Sequence, residues 1–119
     1  PTPSMLRGID CLVMDIQDVG ARFYTYATTM TWCVEEAAKR GIEFVALDRP
    51  NPLTGLRVEG PILRLRKRAL STFHRTPVVH GLTLGELAQF ANREYGIHCD
   101  LKVIPMENWR REMWFDDTG

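Results

Sequence analysis

An apolar run from Ile9 to Ile16, interrupted only by Asp10 and Asp15, constrains this chain more than any other feature. Its near-continuous Ile, Leu, Val and Met content is the pattern of a strand covered on both faces, and it reads as the central strand of a parallel sheet. The run ends abruptly. Asp15-Ile16-Gln17-Asp18-Val19-Gly20-Ala21-Arg22-Phe23-Tyr24-Thr25-Tyr26 delivers two carboxylates, an amide, a guanidinium and two phenols in twelve residues. Open α/β sheets bind ligands in crevices beyond the carboxyl ends of their strands, so this cluster marks the edge of a candidate site.

The rest of the chain fits that architecture. From Thr25 or Tyr26 to Arg40, the positions Tyr26, Met30, Cys33, Val34 and Ala37 recur at helical spacing, and Gly41 supplies a stop. Glu43 to Leu47 is a second short strand, leaving through Asp48-Arg49-Pro50-Asn51-Pro52, where two prolines forbid further pairing. Strand, helix, strand is a right-handed βαβ unit. Residues 50 to 82 form a long loop in which only Ile62 to Leu65 suggests a regular element, and loops of that length in compact domains are usually functional or disordered. A second helix starts with a capping box, Thr83 with Glu86, and a hydrophobic staple, Leu82 with Leu87. Its stripe is Leu84, Leu87, Ala88, Ala91 and Tyr95, ending at Gly96. Cys99 to Met106 reads as a third strand nearer an edge. The tail from Glu107 to Gly119 is rich in Trp and charge but has no period.

The expected class is α/β and Rossmann-like: a mainly parallel three-strand sheet with crossover helices, forming an incomplete part of a larger domain. Two helices cannot cover both faces of a sheet whose first strand is apolar throughout. More chain or a partner is expected on the second face, and an uncovered sheet surface would permit self-association.

Composition removes several function classes. The 119 residues carry 45% hydrophobic and 25% charged side chains, with 15 basic and 15 acidic groups that cancel, so no global field favours nucleic acid or an anionic membrane. No apolar stretch approaches the roughly 20 residues of a membrane helix. Pro1-Thr2-Pro3-Ser4 lacks the form of a signal peptide, and the compartment stays open. Cys11, Cys33 and Cys99 are an odd number without C-x-x-C spacing and read as small buried thiols. Without a Gly-x-Gly-x-x-Gly, a phosphate loop or clustered His/Cys ligands, neither cofactor nor metal is expected.

Five ordered segments carry a resemblance. Asp15 to Tyr26, Leu47-Asp48-Arg49-Pro50-Asn51-Pro52, Val58-Glu59-Gly60-Pro61, His80 to Ala88 and Trp109-Arg110 resemble, in order and spacing, the YbbC/NamZ-like exo-β-N-acetylmuramidases. The resemblance implies glycoside hydrolases that release terminal N-acetylmuramic acid from the non-reducing end of peptidoglycan fragments in cell-wall turnover. It implies a Rossmann-like domain followed by a smaller one, with the active site between them. Residues 1–119 then form part of the N-terminal Rossmann-like catalytic domain, and the second domain lies outside this chain. A Pro-Glu-His-Gly segment, whose glutamate the family favours as catalytic, is absent here. The run Arg64-Leu65-Arg66-Lys67-Arg68 is more basic than the family pattern and takes no family role. Four cations in five residues could contact phosphates, yet a solvated loop is the commoner fate of such a run.

Glycoside hydrolysis needs a carboxylic acid and a second carboxylate roughly 5 to 9.5 Å apart. The catalytic candidates are Asp15, Asp48, Glu59 and His80; the substrate-binding candidates are Gln17, Asp18, Arg22, Tyr24, Arg49 and Asn51. Asp15 and Asp48 end adjacent strands, but an aspartate there also caps turns through its own backbone. Asp18, before Val19-Gly20, fits a turn acceptor. Arg22 and Arg49 suit the lactyl carboxylate of muramic acid or a pair with a neighbouring aspartate. Tyr24 could stack on a sugar, whereas Tyr26 fits the core. Glu59 has few structural duties in its loop. His80 could shuttle a proton or fix the helix entry. Glu86 is explained by the capping box.

Overall fold

A computed structural model describes residues 1–64 and 74–119. Leu65 to Arg68 of the basic run, and the end of the element expected at 62–65, lie outside the described residues; Ile62 to Arg64 are irregular. Strands β1 (Cys11–Met14), β2 (Glu43–Leu47) and β3 (Leu101–Ile104) form one sheet in the order β1-β2-β3, parallel throughout. Helix α1 (Tyr26–Ala38) joins β1 to β2, and α2 (Leu84–Glu94) precedes β3. A short 3-10 turn, Phe115–Thr118, closes the chain.

Both helices pack on the same face of the sheet. Met14, Phe44 and Ala46 meet Met30, Val34 and Ala37 of α1 and Leu84, Leu87 and Ala88 of α2 in a single core. Consecutive right-handed crossovers between neighbouring parallel strands lead to this one-sided arrangement. Among the described residues the opposite face is bare: Val13 is 56% and Ile104 38% exposed, with Cys11 and Lys102 exposed beside them. The apolar run on β1 therefore belongs to an edge strand, not to the central strand expected, because the described sheet continues only through β2. Tyr26 also departs from expectation. It lies 37% exposed at the first turn of α1, its ring edge-on to Tyr24, while Met30, Val34 and Ala37 carry the stripe. Of the three thiols, Cys99 is buried, Cys33 half-buried and Cys11 exposed on the bare face.

The start of α2 is as its sequence dictates. Thr83 Oγ1 accepts from the Glu86 N–H at 3.2 Å, and Glu86 Oε2 accepts from the Thr83 N–H at 2.9 Å. Gly85 brings this end against the sheet, since a Cβ there would stand 2.5 Å from Val103 Cγ1 and 3.0 Å from the Asp48 carboxylate.

Candidate functional site

The three strands point their carboxyl ends at one edge, and a cavity of about 590 Å³ opens there. Gln17 comes from the exit of β1, Arg49 and Pro50 from that of β2, and Met106 to Trp109 from that of β3. Met113, Phe115 and Asp117 of the tail close the far side. Short-range pattern gave no hint of this tail, because contacts distant in sequence hold it. The Gly55 N–H donates to Arg111 O at 2.7 Å, and a Cβ on Gly55 would stand 3.0 Å from the Trp109 ring. Arg111 covers that ring at 5.9 Å from its centroid, donates to Gly81 O at 2.9 Å and pairs with Glu86 at 2.5 Å. Burial pulls the Glu86 carboxyl up, but hydrogen bonds from Arg111 and Thr83 outweigh it and hold it below its ordinary value. Thus the capping residue of α2 also anchors the tail. The one available signal was analogy: β3, like β1, exits into polar and aromatic residues.

Of the ten candidate residues, Gln17 and Arg49 line the cavity. Gln17 Nε2 donates to the carbonyls of Asp18 and Pro50 at 2.6 and 2.8 Å, which joins the exits of β1 and β2. Arg49 donates through both Nε and Nη2 to Asp15 Oδ1, the Nε bond being 2.7 Å. Asp48 turns the other way. Its carboxylate accepts from the Gly85 N–H at 2.7 Å, the Thr83 hydroxyl at 3.0 Å and the Arg49 N–H at 2.9 Å, at the amino end of α2. That position matches the partial positive charge of a helix N-terminus.

Asp18, Asn51 and His80 gather into a buried bridge behind the cavity. Asp18 Oδ2 accepts from the Gly20 N–H at 2.9 Å, the turn geometry its sequence suggests. Burial raises the Asp18 pKa, and its Oδ1 has no hydrogen-bond partner among the described residues. His80 Nδ1 accepts from the Leu82 N–H at 3.1 Å, which assigns the proton to Nε2. Nε2 lies 3.8 Å from Asp18 Oδ2, beyond hydrogen-bond reach. Burial, with a contribution from nearby His74, pushes His80 down to about 4, so it is neutral near neutral pH. Asn51 donates to Leu82 O at 3.0 Å and accepts from the Leu53 N–H at 2.9 Å. Three loops meet at these side chains.

The remaining candidates stand apart. Arg22 Nη1 donates to Pro61 O at 2.8 Å and to Thr76 O, and the Arg22 N–H donates to Val78 O, fastening the long loop. Glu59 exchanges backbone bonds with Val79 and pairs with Arg57 at 2.7 Å on the exposed outer side. Tyr24 packs on Tyr26 with ring centroids 5.0 Å apart. Among the described residues no group of three or more His, Cys, Asp or Glu side chains is placed to hold a metal ion, and no helix is long and apolar enough to cross a membrane.

Residues 1–119 match the family described as exo-β-N-acetylmuramidase NamZ, N-terminal. The chain belongs to this family. It is 50% identical, over 118 residues, to the peptidoglycan β-N-acetylmuramidase NamZ of Bacillus subtilis strain 168, covering 99% of this chain and 28% of that protein. Two DUF1343 family crystal structures from Bacteroides fragilis NCTC 9343 superpose closely. One has a TM-score of 0.93 at 43% identity, over 99% of this chain and 31% of its own; the other has 0.89 at 39%, over 97% and 33%. The chain thus spans about 28 to 33% of the length of these relatives. The likeness confirms the α/β fold of a NamZ N-terminal segment.

Proposed function

We propose that this chain is part of an exo-β-N-acetylmuramidase, a glycoside hydrolase releasing terminal N-acetylmuramic acid from the non-reducing end of peptidoglycan fragments, and that it supplies one wall of the saccharide cleft. The observation that carries this is the cavity of about 590 Å³ at the carboxyl ends of three parallel strands, in a chain 50% identical to a peptidoglycan β-N-acetylmuramidase. Its lining suits a sugar. Trp109 and Phe115 offer apolar faces, while Gln17, Glu107, Asn108 and Asp117 offer donors and acceptors for hydroxyl and acetamido groups.

Among the candidate acids, Asp48 is engaged at α2, Glu59 by Arg57 and Asp15 by Arg49, so the principal acid is assigned to the rest of the full-length protein and the isolated chain to the inactive state. The bare face of the sheet, with Val13 and Ile104, is where further chain of that protein packs.

The test is release of N-acetylmuramic acid from a chromogenic muramide and from peptidoglycan fragments by the full-length protein and by residues 1–119. Release by the full-length protein alone is expected. Release by the short chain would put both carboxylates here, with Glu107, Asp117 and Asp15 the first to mutate. Failure of the full-length protein to release the sugar would overturn the proposal. The engagement of Asp15, Asp48 and Glu59 also fits a second reading, a carbohydrate-binding module. Binding of a muramic-acid saccharide without turnover by the full-length protein would favour it.

A further inference from the structure

The two arginines that suit a carboxylate ligand are held in opposite ways. Arg22 spans the long loop, and its Nη1 already serves the carbonyl oxygens of Pro61 and Thr76. It does not line the cavity. Arg49 does, at the exit of the central strand β2, where the preceding Asp48 and following Pro50 fix its backbone. Its guanidinium is steadied from one side only: Nε and Nη2 both donate to Asp15 Oδ1, while Nη1 has no hydrogen-bond partner among the described residues. Asp15 Oδ2 also makes no hydrogen bond among them. A guanidinium fixed along one edge keeps donors for a second, planar anion, because five N–H groups in a fork exceed what one carboxylate oxygen can accept.

We propose that Arg49, and not Arg22, recognises the lactyl carboxylate of the sugar, and that Asp15 is a positioning residue that sets the plane of this guanidinium. The inference rests on the muramidase reading of the cavity and assigns its specificity. N-acetylglucosamine and N-acetylmuramic acid differ by this lactyl ether alone, so a single oriented cation at the cavity wall suffices to separate them. Asp15 lies one strand away and touches Arg49 across the β1-β2 boundary, which joins the two strand exits into one rigid anion-reading edge. The pair is about half exposed, with side chains 46% and 45% accessible, so the anion approaches without breaking a buried contact. When it binds, the guanidinium donates to two carboxylates, an arrangement its five N–H donors and fork geometry allow.

The experiment uses the full-length protein and two chromogenic muramides with the same leaving group, one with a free lactyl carboxylate and one with its methyl ester. Wild type is expected to prefer the free acid by about 30- to 100-fold in kcat/KM, the scale of one charge-assisted bidentate contact. Arg49→Ala should lose that preference, turning over acid and ester alike, and Arg49→Lys should recover part of it through charge without the fork. Arg22→Ala should keep the preference, whatever it does to stability. Asp15→Asn should raise KM for the free acid and leave the pH profile of kcat in place. If wild type turns over neither substrate, the muramidase reading fails. If wild type turns over the acid and Arg49→Ala retains the acid-over-ester preference, the Arg49 assignment fails while that reading stands. Loss of the preference in Arg22→Ala would move the role to Arg22. Loss of a limb of the pH profile in Asp15→Asn would make Asp15 a catalytic acid or base and overturn its positioning role. Thermal unfolding of each variant separates misfolding from altered recognition, and the acid-to-ester ratio is read on the folded fraction alone.

Discussion

Replacing Asp48 separates a reacting carboxylate from one that builds the site. Its two oxygens accept from the Gly85 N–H, the Thr83 hydroxyl and the Arg49 N–H, and they lie within about 3 Å of these donors at the amino end of α2. Hydrogen bonds to a charged group contribute about 1.5–3 kcal/mol each when isolated, but three that share one carboxylate in a half-buried position are not additive. Asp48→Ala is therefore expected to cost about 3 kcal/mol. Asp48→Asn keeps the shape but loses the charge facing the helix end and sets an amide donor against a backbone donor, so about 2 kcal/mol is expected.

The cost is local to α2, and hydrogen exchange in the full-length protein reads it. Amides of Leu84 to Glu94 that open with that helix should exchange about 30- to 100-fold faster in the two variants, with little change in α1. Turnover of a muramide, measured on the folded protein at a temperature well below unfolding, should fall far less than loss of a catalytic carboxylate would require. The opposite pattern, abolished kcat in Asp48→Asn with protection of α2 unchanged, would refute the structural assignment and return Asp48 to the chemistry.

Three further outcomes are expected. His80 falls from 6.5 in the unfolded chain to about 4 when folded, so the unfolded state binds the extra proton; stability is full above about pH 6.5 and declines by about 3 kcal/mol as pH falls toward 4. Asp18, raised by burial, works in the opposite sense, but only as pH falls through its own folded value. Urea denaturation across pH 7.5 to 4.5 should show this slope and His80→Asn should flatten it; an unchanged slope would mean that another group titrates. Gly20→Ala places a Cβ 2.2 Å from Asn51 Oδ1 at a backbone φ of +77°, and a loss of about 3 kcal/mol is expected by the same denaturation, partly recovered in Gly20→Ala/Asn51→Ala. Arg111→Ala removes the Glu86 pair, the Gly81 carbonyl bond and the cover over Trp109; about 1–2 kcal/mol and an altered Trp fluorescence are expected, with half or more of the loss surviving in 1 M salt.

The elements with a strong local period were legible in the sequence. The Met30, Val34 and Ala37 stripe, the Thr83–Glu86 box and the second strand appear where their patterns put them, since each depends on neighbours within one turn or one pleat. The position of β1 was not legible. A strand apolar on both faces looks the same whether its cover lies in the same 119 residues or elsewhere, and here Val13 faces no described neighbour across the sheet. The tail was opaque for a related reason: Trp109, Arg111 and Phe115 gain their places from Gly55, Glu86 and Pro52, residues 25 to 63 positions away in sequence.

The candidate site shows the same division and explains its own chemistry. Sequence could place Asp15, Asp48, Arg22 and Arg49 near strand exits and loops, but it could not say which charge would meet which. Distance decided that: Asp48 went to the helix end, Asp15 to Arg49, and Arg22 to carbonyl oxygens of the long loop. Each carboxylate spent on a backbone N–H or a guanidinium has its oxygens held by fixed donors, which suits it to hold geometry. On the reading proposed above, a wall built this way would recognise a saccharide through an oriented cation and aromatic faces, with the proton donor coming from the opposite side of the cleft. Inverting and retaining glycosidases both set their two carboxyl groups on either side of the scissile bond. If this segment forms one side only, as proposed, it is expected to bind its sugar and leave the bond intact, with cleavage requiring the full-length protein.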